Sequence, residues 1–263
     1  MTALVVTNIQ GPILELVLNR PEKRNALSIE LCRQLDAAIT LAAKTASLRC
    51  VIIRGEGASF SAGIDVNAFM ELKEIYGDHW TQRGRMIGAD IQATLNRLER
   101  LELPTIALLQ GHCLGMGLEL ALACDFRIAA SDTKLGLPEV LLGLIPDVGG
   151  TTRLTRVLGP ARAKELILTG RTIFTEQADR WGLVNRVVAV DDLLKAGHEL
   201  AEELSRAAPL AIGMAKRVID GLSDNERGLQ LEGWAQTQLY ATEDFQNAVR
   251  AFAEKRKVEF KGR

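Results

Sequence analysis

The chain has 263 residues, of which 47% are hydrophobic and 25% are charged, and its formal net charge is −1. These values are typical of a globular protein with one large apolar core, and they exclude a largely disordered chain. The near-neutral charge argues against a general nucleic-acid binder, and no apolar stretch approaches the ~20 residues that a membrane span requires.

Strand and helix patterns alternate along the first part of the chain. β-Branched residues and leucines recur over residues 4–8 and 13–18 on either side of Gly11-Pro12, which predicts a hairpin. Ser28 precedes apolar residues at helical spacing and is a candidate N-cap. Further buried strands are predicted at 50–55, 105–109, 126–130 and 183–190, and helices at about 86–102, 150–168 and 176–181. The fold class is therefore α/β.

The strand patterns stop after about Asp191. Apolar residues then recur three or four apart, which predicts helices over 191–206, 209–221, 225–240 and 242–256. We therefore divide the chain into a sheet-bearing core, 1–190, and a helical region, 191–263. The helical region carries apolar residues that need burial, which favours an oligomer: Leu229, Leu231, Trp234, Leu239, Phe245 and Phe252.

The cysteines and histidines do not indicate a metal site. The four cysteines lie in apolar runs without metal-ligand spacing, and the three histidines form no HxxxH or HExxH pair. We therefore expect core thiols in a reducing compartment and no bound zinc or iron. The N-terminus lacks the pattern of a secretory signal, so a cytoplasmic location is expected.

Three glycine-bearing segments lie between predicted elements: 60–65, 111–119 and 136–150. Each alone is typical of a tight strand-to-helix connection. Gly115-Met116-Gly117 supplies G-x-G, but Leu120 replaces the third glycine of a dinucleotide fingerprint, and no glycine-rich loop ends in Gly-Lys-Ser/Thr. Nucleotide-phosphate binding through either motif is therefore not predicted.

Glycine-rich turns that open helices can direct unpaired N–H groups at a developing negative charge, as an oxyanion hole requires. Glu119 lies within the apolar run Leu118–Ala123, where an unpartnered carboxylate would be costly. Glu139 follows Pro138 and could simply favour a helix start, and Asp147 could cap the next helix. Two carboxyl groups in an apolar pocket could instead divide the acid and base roles.

Ordered motifs along almost the whole chain resemble the enoyl-CoA hydratase/isomerase, or crotonase, superfamily. They lie at 19–27, 60–65, 111–125, 137–154, 168–171, 181–185 and 252–256. The resemblance implies a spiral of ββα turns, a C-terminal helical trimerisation region, and assembly as a homotrimer or a dimer of trimers. It implies an acyl-CoA thioester substrate and no separate cofactor, since coenzyme A is part of the substrate.

The resemblance also implies roles for individual residues. The backbone N–H groups of Ile64 and Met116 would form the oxyanion hole, and Glu119 and Glu139 would hold water and move protons, with the two roles unassigned. The positions that match coenzyme A or substrate contacts are Lys23, Arg24, Ala26, Ala62, Gly63, Ile64, Asp65, Gly115, Phe252 and Lys255.

Asp147 departs from the pattern of the hydratases, which usually have glycine there, whereas dienoyl-CoA isomerases have aspartate. Those isomerases, however, have aspartate where this chain has Glu119. Hydration of a 2-enoyl-CoA is the leading hypothesis, and a dienoyl-CoA or enoyl-CoA isomerase is the alternative. A non-catalytic scaffold of the same fold is a third possibility, against which the retained carboxylates argue.

Overall fold

The computed structural model describes residues 3–221 and 225–257. It contains a six-stranded sheet in the order β1-β2-β3-β4-β6-β9 and a three-stranded sheet in the order β5-β7-β8. The strands are β1 (Val5–Gln10), β2 (Ile13–Leu18), β3 (Cys50–Gly55), β4 (Thr105–Leu109), β5 (His112–Leu114), β6 (Phe126–Ala130), β7 (Lys134–Gly136), β8 (Thr172–Phe174) and β9 (Arg186–Val188).

Ten α-helices accompany these strands within the described residues. They are α1 (Ile29–Lys44), α2 (Asn67–Tyr76), α3 (Trp80–Glu99), α4 (Met116–Leu122), α5 (Gly150–Thr169), α6 (Thr175–Trp181), α7 (Leu193–Ser205), α8 (Pro209–Gly221), α9 (Asn225–Tyr240) and α10 (Glu243–Ala253). Short 3-10 helices lie at Pro21–Lys23, Gly77–His79, Glu139–Leu142 and Val190–Asp192. The predicted α/β class is confirmed.

The large sheet is parallel except for the opening hairpin of β1 and β2. Alternate residues of β3 face opposite cores: Val51 and Ile53 pack in the main core with α1 and α4, whereas Cys50 and Ile52 pack against α7. Burial on both faces explains why this strand is an unbroken apolar run in the sequence.

The parallel strands bring three connecting segments to one edge of the sheet. β2 leads into residues 19–27, β3 into 56–66 and β4 into 110–115. In parallel sheets the carboxyl ends of the strands are the usual position of a ligand site. The second sheet extends this edge, because β7 leads directly into the 3-10 helix at 139–142.

Several predicted elements need correction. The predicted helix 86–102 begins six residues earlier, at Trp80, and the predicted strand 183–190 is only Arg186–Val188, although Leu183 and Val184 are buried in the core. The helix α2 and the short strands β5, β7 and β8 were not predicted. Three-residue strands are too short to show a period, so the sequence carried little signal for the second sheet.

The division at residue 190 stays a prediction. Helix α7, which follows it, packs on the large sheet through Leu193, Ala196 and Ala201. Residues 222–224 and 258–263 of the predicted helical region lie outside the described residues. Among the described residues, no helix is both long and apolar enough to cross a membrane.

Candidate active site

Buried hydrogen bonds fasten the three segments at the sheet edge to one another. Asn25 is fully buried, and its Nδ2 donates to the carbonyls of Glu56 (2.9 Å) and Ser59 (2.8 Å). Ser61 Oγ donates to the carbonyl of Asn25 at 2.9 Å, and Ser61 also pairs with the backbone of β5. These hydrogen bonds therefore connect the turn that carries Ile64 with the segment that leads to Met116.

Two glycines with positive φ let these turns come together. An ideal Cβ at Gly63 (φ 97°) would lie 2.9 Å from the carbonyl oxygen of Leu114, and one at Gly115 (φ 52°) would lie 3.7 Å from the Cα of Gly63. A side chain at Gly63 would therefore clash with backbone. The residues that follow, Ile64 and Met116, line the same cavity, and neither N–H donates to another described residue.

This cavity has a volume of about 50 Å³ and brings the three predicted acidic residues together. Glu119, Glu139 and Asp147 line it with Ile64 and Met116, in agreement with their predicted grouping. Most of the remaining wall is apolar, and it is supplied by Leu27, Ile29, Cys32, Ala68, Phe69, Leu72, Ile87, Ile91, Leu144 and Val148. A cavity of this size and polarity excludes most bulk water from the carboxyl groups.

Glu119 lies on α4 and is 2% exposed. Its Oε1 accepts hydrogen bonds from the backbone N–H groups of Val148 (3.0 Å) and Gly150 (2.7 Å), at the start of α5. Backbone donors at a helix N-terminus favour a negative charge. They provide the partners that a carboxylate in an apolar run needs, and they favour its ionised form.

Glu139 lies at the first position of the 3-10 helix that follows β7. Its Oε2 is completely enclosed and has no hydrogen-bond partner among the described residues. Burial, reinforced by the negative charge of Asp147, raises the pKa of Glu139 from 4.5 to about 8. At neutral pH this carboxyl group is therefore mainly protonated.

Asp147 is half-buried where α3 passes the cavity. An ideal Cβ at Gly88 would be 3.5 Å from its Oδ2, and its backbone carbonyl accepts a hydrogen bond from Gln92. The N-cap of α5 is Gly149, so the expectation that Asp147 itself occupies the cap position is wrong. Asp147 instead acts electrostatically on its neighbours: burial and then its charge raise the pKa of Tyr240.

The positions expected to contact coenzyme A lie along the surface segments beside the cavity. Lys23 and Arg24 are exposed, and Arg24 accepts a hydrogen bond from the N–H of Ala62 at 2.9 Å. Arg24 also lies near His112, whose pKa is lowered by burial and by the charges of Arg24 and Lys134. Arg24 and Lys134 thus place positive charge beside His112, as a phosphate-bearing ligand requires.

Asp65 and Ala26 serve the local structure. Arg20 bonds to the carbonyl of Ala26 at 3.2 Å and to Asp65 Oδ2 at 2.5 Å. Burial opposes ionisation of Asp65, but hydrogen bonds from Arg20 and from the N–H of Asn67 hold its pKa below the ordinary value. A direct ligand contact by Asp65 stays a prediction.

Phe252 and Lys255 do not line the cavity of this chain. They lie at and just beyond the end of α10, where Phe252 is 54% exposed and Lys255 is also exposed. Their contact with a ligand stays a prediction.

Some lining residues were not predicted. Gln236 and Tyr240 of α9 reach the cavity across α3, and Tyr240 packs with Phe69, Trp80 and Phe245 in an aromatic cluster. Their amphipathic helix indicated only burial, because nothing in its sequence shows which element it will cover. No group of three or more metal-ligating side chains occurs in the part of the chain that the structure describes.

Carboxyl groups that share a largely apolar cavity form an arrangement that can transfer protons at neighbouring atoms. Comparison with known proteins identifies the family of enzymes to which the chain belongs. The family model for enoyl-CoA hydratase/isomerase matches residues 8–263. The chain therefore belongs to the enoyl-CoA hydratase/isomerase family, as the sequence motifs predicted.

Individual relatives match over nearly their full length. A short-chain-enoyl-CoA hydratase of Clostridium acetobutylicum is 38% identical over 98% of both chains, and an enoyl-CoA isomerase/hydratase of Mycosarcoma maydis is 41% identical over 95% of this chain and 93% of the relative. The crystal structure of a carnitinyl-CoA hydratase from Mycobacterium avium matches with a TM-score of 0.87, 32% identity and full coverage of both chains.

Proposed function

We propose that the protein adds water across the 2,3 double bond of a 2-enoyl-CoA thioester. The observation that carries the proposal is that Glu119 and Glu139 line one cavity together with Ile64 and Met116. The relatives named as enoyl-CoA hydratases support the same reaction. The backbone N–H groups of Ile64 and Met116 would stabilise the thioester oxygen as it gains negative charge.

The surroundings of the two glutamates favour different roles. Glu119, held by two N–H donors, takes a proton from water as the water oxygen forms a bond to C3. Glu139, protonated at neutral pH, gives its proton to C2 as the enolate collapses. One proton is accepted and one is donated, and exchange between the two carboxyl groups, directly or through solvent, restores the starting state.

The thioester carries its own coenzyme A, and we propose that no other cofactor is needed. Lys23 and Arg24 would contact the phosphates, while Ala26, Ala62 and Ile64 would line the path of the nucleotide and pantetheine. The relatives named for short-chain and crotonyl substrates favour a short acyl group. The cytoplasmic location stays a prediction.

A panel of acyl-CoA substrates tests the proposed reaction. Purified protein is incubated with 2-enoyl-CoA and 3,5-dienoyl-CoA thioesters of increasing length, and products are followed by mass and by absorbance. A gain of one water with loss of conjugation supports the hydratase. An isobaric change of conjugation without hydration would replace it with the isomerase. Failure to convert any thioester, combined with failure to bind coenzyme A, would favour the scaffold.

The position of Asp147 in the cavity supports an isomerase as the second candidate function. It lines the cavity with Glu139, and its charge contributes to the raised pKa of that residue. Two carboxyl groups there could move a proton between separated carbons of a dienoyl group. The relative from Mycosarcoma maydis bears both activities in its name.

We also propose that the protein assembles as a homotrimer or a dimer of trimers. Of the apolar residues expected to need partners, Trp234 and Phe252 are 65% and 54% exposed in the single chain, whereas Leu229 and Phe245 are buried; the side chain of Leu231 lies outside the described residues. Helix α8 adds a row of exposed residues four apart: Leu210, Met214 and Val218. Light scattering at micromolar concentration should give an oligomer, and a monomer would contradict the assembly.

A further inference from the structure

One face of α3 forms hydrogen bonds with residues 147–153, the segment whose N–H groups bond to Glu119. Gln92, Asn96 and Glu99 follow one another at helical spacing and therefore share a face. Gln92 donates to the carbonyl of Asp147. Asn96 Oδ1 and Glu99 Oε2 both accept hydrogen bonds from Arg153 Nη2, at 2.7 and 2.9 Å. All three residues thus act on the connection between the 3-10 helix and α5, or on its first turn.

Arg153 is a fully buried arginine that lies beneath this connection. It is 1% exposed, its Nη1 donates to the carbonyl of Val148 at 3.0 Å, and its Nε donates to Glu99 Oε2 at 3.1 Å. An ideal Cβ at Gly149 would lie 1.7 Å from Nη1, so the guanidinium occupies space that only glycine leaves free. The same Val148 donates its own N–H to Glu119.

We propose that Arg153, anchored by Glu99 and Asn96, is a positioning residue that holds the N–H groups of Val148 and Gly150 against the carboxylate of Glu119. Arg153 does not itself line the cavity. It acts through the peptide units on either side of Gly149, with the planar fork of its guanidinium bonded at all three nitrogens. The kinetic part of this inference rests on the proposed hydratase function, whereas the geometric part does not.

A merely stabilising ion pair would behave differently from a positioning device. Loss of a stabilising pair lowers thermal stability and the fraction of folded enzyme. Loss of a positioning residue also alters the group that is positioned, here by weakening the hydrogen bonds that favour ionised Glu119. Glu139, Asp147 and Tyr240 line the cavity with Glu119. The charged groups on the other side of the segment 147–150 include Glu99, Arg153 and Arg156.

The test is Arg153→Lys, which keeps the positive charge but replaces the planar fork of the guanidinium with one compact ammonium group. We expect kcat to fall by about 10²-fold through misplacement of the carboxylate, with KM for the thioester little changed. We also expect the infrared carboxyl band of Glu119, assigned by its loss in Glu119→Gln, to titrate with a higher midpoint than in wild type. Glu99→Gln should also lower kcat and raise the Glu119 midpoint, but by smaller amounts.

Glu15→Gln is the matched control. Glu15 is a buried glutamate on β2, 2% exposed, that pairs with Arg54 at 3.3 Å and His198 at 2.7 Å away from the cavity. It should lower stability without changing the Glu119 band. If Arg153→Lys does not fold, Asn96→Ala removes one neutral partner and carries the same test.

An unchanged Glu119 midpoint in folded Arg153→Lys or, failing that, in Asn96→Ala would overturn the positioning role, whatever the activity. A raised midpoint in a protein that hydrates no thioester would retain the positioning role and reject the proposed function.

Discussion

Glu119 and Glu139 face the same cavity from two different settings. Glu119 lies in an apolar helix but accepts two backbone N–H donors from the start of α5. Glu139 begins a short 3-10 helix, and its enclosed Oε2 has no partner among the described residues. Identical side chains therefore have different partners: two backbone N–H groups bond to the carboxyl group of Glu119, whereas burial raises the pKa of Glu139. The predictions below test this difference.

The largest effect is expected from removing either carboxyl group. Glu119→Gln and Glu139→Gln should each lower kcat by roughly 10²–10⁴-fold, because each removes a group that transfers a proton. Glutamine has nearly the same shape, so the fold should persist, as circular dichroism and thermal melting would show. Steady-state rates with a 2-enoyl-CoA measure the loss. Near wild-type rates in both variants would remove the two residues from the mechanism.

A smaller but selective effect is expected at Gly150. An added Cβ there would be 2.8 Å from Glu119 Oε1 and 2.6 Å from the Cβ of Pro146, so alanine must displace the carboxylate or the loop. Gly150→Ala should lower turnover by about 10²-fold, as a displacement of about 1 Å can do.

Gly233→Ala provides the control for this variant. An added Cβ at that helical position would have its nearest neighbour, Gln92 Nε2, at 3.7 Å, an ordinary contact. Turnover should stay at the wild-type value in this variant. Equal losses in both variants would show that the effect at Gly150 does not come from Glu119.

The sequence predicted the members of this site but not the difference between them. Glu119 stood out because it interrupts an apolar run, and the glycine turns indicated backbone donors. Neither signal shows that the N–H groups of Val148 and Gly150, about thirty positions along the chain, would bond to Glu119. No separate sequence signal marked Arg153, because its hydrogen bonds to Asn96 and Glu99 join α5 to α3, and a single sequence does not determine that contact.

The fall of activity at high pH should report the pKa of Glu139. Because burial raises the pKa of Glu139 to about 8, this proton donor is present below that pH and is lost above it. The ratio kcat/KM, which reports the pKa values of the free enzyme, should therefore fall about tenfold for each pH unit above about 8. A profile that stays flat to pH 9.5 would contradict Glu139 as the acid.

The free energy of unfolding should also depend on pH through Glu139. The folded pKa of Glu139 is raised from 4.5, so the unfolded chain loses this proton first as the pH increases. The contribution of Glu139 to the unfolding free energy is complete below about pH 4.5 and is lost as the pH rises through about 8. Glu139→Gln should flatten this part of the stability profile, which denaturant titrations at several pH values would measure.

The smallest effect on hydration is expected from Asp147→Asn, which separates the two candidate reactions. Asp147 contributes less than burial to the raised pKa of Glu139, so removing its charge should shift the high-pH fall of activity only modestly towards lower pH. Hydration of a 2-enoyl-CoA should stay within about tenfold of wild type, less than the loss of a proton-transfer group causes. Isomerisation of a 3,5-dienoyl-CoA needs an acid and a base at separated carbons, and asparagine can serve as neither. Any isomerase activity that depends on Asp147 should therefore collapse in this variant while the melting temperature changes little, since asparagine accepts hydrogen bonds and caps almost as well as aspartate. If both activities survive unchanged, Asp147 adjusts only the electrostatics around Glu139, and the isomerase loses its main structural support.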